Sequence, residues 1–173
     1  MAYFARGKFM RVRAMLLAAS LAATGCGADP VRADLERYES AVLRPLAAED
    51  ARGAQAIDEL TQATAKGRLD TRHARTTVRG ELATRYHGLV TLLEAHHPTS
   101  PELLALHARL AAEYREITGR LDRAADALDR GDWRDADAQL IALEHRGFEA
   151  VRADFLALAA RHGLEPTPEV PEK

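Results

Sequence analysis

From Leu103 to Leu128 the chain places an apolar or small residue at every third or fourth position without a gap: Leu103, Leu106, Leu110, Tyr114, Ile117, Leu121, Ala124 and Leu128. That spacing follows the 3.6-residue turn of a helix, whereas a half-buried strand would alternate every second residue. Ser100 and Pro101, with Glu102 behind them, supply a cap, a first helical position and an acid in the first turn. A helix of some 30 residues would be about 45 Å long. Its narrow stripe, close to the heptads of a coiled coil, has to be covered by other helices.

Three more segments supply that cover. Asp29-Pro30 starts the first, and Val31, Leu35, Tyr38 and Val42 form its inner row. Pro45 has no amide and crowds the preceding turn, so a kink is expected there before the helix resumes through Ile57 and Leu60 to stop near Lys66-Gly67. The second helix starts at Asp70, carries Val78, Leu82, Leu89 and Leu93, and should end at about His97, since Pro98 disfavours a helical residue before it. Gly131-Asp132 ends the third helix and caps a fourth, with Trp133, Ala136, Leu140, Leu143, Gly147, Val151, Phe155 and Leu158 inward. That helix should stop at Gly163, with Leu164 folding back on its last turn. Long helices joined by short turns predict an all-α, antiparallel up-down four-helix bundle over 30–164. The Pro-rich run 165–173 reads as a short disordered tail.

The first 25 residues obey a different logic. Arg11-Val12-Arg13 precedes the apolar run 14–23 and Thr24-Gly25-Cys26, which holds the chain's single cysteine. The run is about half the length a spanning helix needs, so it reads as an export signal rather than a membrane anchor. Ala23-Thr24-Gly25-Cys26 resembles the lipobox of bacterial lipoproteins, although Ala23 stands where that family most often has Leu. The resemblance implies a signal peptide over 1–25, acylation of Cys26 as the mature N-terminus, a lipidated linker over 26–29 and a membrane partner. Gly27, where an Asp would favour inner-membrane retention, points by the same resemblance to the periplasmic face or surface of the outer membrane. An ordinary secretory cleavage near Ala23 is the alternative. Translation from Met10 instead of Met1 would leave the same mature chain.

The mature chain would carry 20 basic and 26 acidic residues, because Arg6, Lys8, Arg11 and Arg13 lie in the signal. A net charge near −6 argues against a general nucleic-acid binder. With Cys26 acylated, neither a disulfide nor a thiolate metal site is available.

Two sets of residues are candidates for function. Arg68, Arg72, Arg75 and Arg79 recur on one side of the second helix, leading toward Tyr86, with Trp133 at the same end. Cations at a helix N-terminus oppose its dipole, so the row suggests an envelope protein or an anionic envelope polymer as partner. Ion pairs with Glu49, Asp58 or Glu59 on the first helix and Asp126 or Asp129 on the third are the alternative. At the other end, His96, His97, His107 and His162 gather near Glu94 and Glu102, a composition that could bind metal or haem iron. A single Glu-x-x-His falls short of the two that a di-iron site needs, and histidine near a helix C-terminus is favoured by the dipole alone. Glycine-rich phosphate loops and His-Glu-x-x-His are missing. The chain therefore reads as a non-catalytic, cofactor-free envelope module, with a metal- or ligand-binding bundle as the alternative.

Overall fold

Asp29 and Pro30 open the first helix as their chemistry demands. The Asp29 carboxylate accepts the Val31 amide at 3.0 Å, and Pro30, with no amide to orphan, takes the first helical position. The computed structural model describes residues 29–67, 70–143 and 146–164. The expected signal peptide, Cys26 with the two residues after it, Arg68 and the C-terminal tail lie outside the described residues.

Five helices make up the described fold. Helix α1 (30–65) runs through Pro30–Tyr38, a π-helical segment Glu39–Leu43, and Arg44–Ala65. Helix α2 (71–94) likewise comprises Thr71–Arg75, a π-helical Thr76–Ala83 and Thr84–Glu94. Helix α3 is Pro101–Arg130, α4 is Trp133–Ile141 and α5 is Glu149–Arg161. Among the described residues there is no strand. None of the described helices is long and apolar enough to cross a membrane.

The expected fourth helix is thus two helices. The first ends at Ile141 with a turn at 142–143, and Gly147, at φ +77° in the left-handed region, turns the chain again just before the second begins. Leu143, Phe148, Val151, Phe155 and Leu158 are all buried on either side. The apolar rhythm therefore crosses the break, which is why periodicity alone reads one helix there.

The punctuation of the other helices matches their residue types with two exceptions. Asp70 accepts the Arg72 amide, Asp132 accepts that of Asp135, and Gly67, Gly131 and Gly163 all have positive φ. Leu164 donates its amide to the Ala159 carbonyl at 2.9 Å and is buried, completing the fold-back after α5. Helix α2 ends at Glu94, short of His97, and the His96 ring lies 3.0 Å from the Leu92 carbonyl it leaves exposed. Ser100 holds the cap position without capping: its hydroxyl makes no hydrogen bond to α3. The irregularity expected at Pro45 takes the form of the π-helical turn just before it, where the Arg44 amide reaches back to the Glu39 carbonyl.

Cross-helix contacts fix the directions. Asp34 of α1 accepts the Thr99 and Ser100 amides, while further along Glu49 pairs with Arg85 and Asp50 with Tyr86, so α1 and α2 run antiparallel. Arg75 and Arg79 reach Asp129 and Asp126, and Glu94 reaches Arg115, so α2 and α3 do too. Arg130–Asp135, Arg109–Asp154 and Arg161–Glu102 set both α4 and α5 against α3 in the same reversed sense. One continuous apolar core runs between them, with Leu103, Leu110, Tyr114, Ile117, Leu121 and Leu128 of α3 inside it.

Candidate functional site

The structure divides the arginine row. Arg72 is exposed near the start of α2. Arg75 turns to the far end of α3, where Nε and Nη2 donate to the Leu128 carbonyl at 3.0 and 2.7 Å and Nη2 also to that of Asp129. Those carbonyls lie at the negative end of a 30-residue helix, that of Leu128 also accepting the Gly131 amide at 3.1 Å, a favourable place for a cation. Arg79 Nη2 bonds Asp126 and Asp129 at 2.9 and 2.7 Å, contacts that hold its guanidinium even more firmly charged. Ion pairing to Asp126 and Asp129 therefore accounts for Arg75 and Arg79. Trp133 is half-buried beside them and lines, with Leu60, Ala74 and Leu140, a cavity of about 10 Å³. That is room for roughly one water.

Tyr86 is not on the arginine face. It is buried, and its hydroxyl donates to Asp50 Oδ1 at 3.1 Å. The π-helical stretch 76–83 contains Arg79 and ends three residues before Tyr86, and its wider turns shift the phase of the side chains beyond it.

The histidines share one end of the molecule but do not converge. His107 is buried with Nδ1 2.8 Å from the Tyr38 hydroxyl, the two rings meeting edge to face. Burial above all, then the nearby His97, His96 and Arg115, push its pKa down. The His107 ring and the Tyr38 hydroxyl share one hydrogen bond across the α1–α3 packing. Tyr38 is itself pushed up by burial. His162 places Nδ1 2.6 Å from Asp29 Oδ2 and Nε2 3.7 Å from Glu102 Oε2, so its two carboxylates lie on opposite sides of the ring. The hydrogen bond from His162 is the main reason that the Asp29 carboxyl lies below its ordinary range. His96 turns to the Leu92 carbonyl and His97 is exposed. Among the described residues no group of three or more His, Cys, Asp or Glu is placed to hold a metal ion.

Sequence reasoning passed over the most buried polar centre. Asp50, 4% exposed, faces Tyr86 and Tyr114, whose rings stack with centroids 6.0 Å apart. Gly147 packs onto this centre: a Cβ there would lie 3.2 Å from both Asp50 carboxylate oxygens and 3.3 Å from the Tyr114 hydroxyl. Burial and the Asp50 charge push both phenols up, so neither is a base or nucleophile near neutral pH. The cluster joins α1, α2, α3 and the approach to α5. The signal for it was present, since Leu46, Asp50, Gly53 and Ile57 continue the inner row of α1 at spacings of four, three and four. A carboxylate and a glycine on an apolar row mark a polar partner and a close approach.

Compared with family models, curated proteins and solved structures, the chain matches none.

Proposed function

We propose that this chain is a lipid-anchored lipoprotein of the bacterial cell envelope, held at the outer membrane, whose helices form a non-catalytic binding module. The observation that carries the reading is the sequence run from Arg11 to Cys26, a basic flank and a short apolar stretch ending on the single cysteine. Two further facts support it. Helix α1 begins at Pro30, four residues after Cys26, which leaves room for a linker and little else. The buried polar groups Asp34, Asp50 and His107 are each engaged with another helix or turn, as suits a scaffold.

In this reading the five helices are an up-down four-helix bundle in which α4 and α5 share the fourth position. The tethered end holds Asp29, the 95–100 turn and His162, and the Gly67 and Gly131 corners stand away from the membrane. A multiply acylated cysteine would make release slow, whereas one chain would give only marginal attachment.

Cell fractionation with mass spectrometry of the mature N-terminus tests this. Wild-type protein should sediment with membranes and carry acyl mass on Cys26, and Cys26→Ala should move it to the soluble fraction. An unmodified Cys26 thiol in membrane-extracted protein would overturn the reading.

A further inference from the structure

Where the chain enters the described fold, one side chain joins three helices. His162 is the C-cap of α5, and its side chain is only 20% accessible. Nδ1 lies 2.6 Å from Asp29 Oδ2, and Nε2 lies 3.7 Å from Oε2 of Glu102 in the first turn of α3. Asp29 gives its other oxygen to the Val31 amide as the cap of α1. The Asp29–His162 pair therefore bridges the positive end of one helix dipole and the negative end of another. A carboxylate suits the first end and a cation the second.

The neighbouring charges have partners of their own. Arg161, beside His162 on α5, reaches Glu102 at 3.2 Å. Arg32 of α1, whose guanidinium lies 3.7 Å from the place a Gly163 Cβ would take, pairs with Glu36 at 3.0 Å. Asp29 is held below the usual carboxylate range, chiefly by its hydrogen bond from His162, so it stays ionised while a histidine gains a proton. A neutral ring has one N–H to donate, and Nδ1 turns it to Asp29. Only the doubly protonated ring also presents an N–H toward Glu102 and sets a positive charge against both carboxylates.

We propose that His162 is an acid-operated clasp that grips the start of α1 against the end of α5 and the first turn of α3. Histidine is the side chain whose ordinary charge change falls between about pH 5 and 8. The grip is strongest where the ring is charged and slackens as it is neutralised. Its sign is opposite to that of His107, whose charged form is disfavoured by burial against Tyr38. The clasp needs no lipid, but it lies three residues after Cys26 and would set how firmly a tethered fold is held near its anchor.

Amide hydrogen exchange followed by NMR on the purified full chain tests it, with the intrinsic pH dependence of exchange removed. The Ala33 amide, bonded to the Asp29 carbonyl, reports one side of the clasp, and the Leu164 amide, bonded to the Ala159 carbonyl, reports the other. These helix ends open locally, so they read the clasp apart from the effect of His107 on the whole fold. Protection at both should be about threefold higher at about pH 5.5 than at about pH 7.5, the size that one ion pair gives. His162→Gln should abolish that rise. Asp29→Asn should abolish it while still capping α1, because an Asn side chain accepts the same amide. His97→Gln, at an exposed position, should leave it intact. No rise in wild type, a rise that survives in His162→Gln or Asp29→Asn, or its loss in His97→Gln would each overturn the proposal. Because the exchange is read without membranes, failure of the Cys26 experiment would leave its result standing.

Discussion

Gly147 shows how much one missing side chain can decide. At φ +77° an L-residue costs about 1–2 kcal/mol, and a methyl group there would press on Asp50 and Tyr114 as well. Gly147→Ala should therefore lose about 2–4 kcal/mol in urea unfolding. Gly131→Ala has the same φ but nothing within 4 Å of its added carbon, and should lose only about 1–2 kcal/mol. Equal losses at the two sites would show that Asp50 and Tyr114 do not confine Gly147. His107 makes a pH prediction at the same scale. Its pKa is lowered in the folded state, so the unfolded chain takes up that proton first as pH falls. Its contribution is complete above the ordinary histidine pKa of about 6.5 and is lost as pH falls from there through the lowered value. The urea midpoint should drop below pH 6.5 in wild type, and the same interval should be flatter in His107→Gln. The histidines were legible as a group of residue types, but their separate roles were not. What distinguishes His107 from His97 is burial against Tyr38, and spacing does not report burial.

Among the elements, the bounds and buried face of α3 were legible because its proline and stripe are local signals, whereas the cap expected of Ser100 does not form. Seven of its eight stripe residues are buried and Leu106 is packed against the core. The π-helical segments of α1 and α2 were not legible beyond the disturbance signalled by Pro45. Their wider turns change the phase of the later turns of each helix, and Tyr86, four residues after Leu82 and three before Leu89, faces Asp50. The same approach of α1 and α2 requires Gly53, where a Cβ would stand 2.6 Å from the Tyr86 hydroxyl. Arg75 acts on an element other than its own by capping the end of α3. Arg75→Ala should cost about 1 kcal/mol, less than a buried charged hydrogen bond because the side chain is 43% exposed. Arg72→Ala should stay within about 0.5 kcal/mol. Thermal unfolding of the two variants side by side would expose an error in either assignment.

As a whole, the described helices share one core, reached from every element. Unfolding should then be a single cooperative transition. Trp133 reports from the Gly131 corner, and far-ultraviolet circular dichroism reports all the helices, so the two urea curves should coincide. Separate midpoints would mean that α4 or α5 melts independently of the rest.

The residues in order were enough to determine helix as the sole regular structure of the described residues, most of the helix starts and stops, and the inner rows. Each of these rests on contacts within a turn or two of the chain. Only the tertiary structure decided that the last long segment breaks after Ile141, that Arg75 and Arg79 serve α3 and that the histidines stay apart. Those outcomes depend on which side chains meet from positions tens of residues apart, and so on packing and burial between helices, which the periodicity of any one helix does not contain.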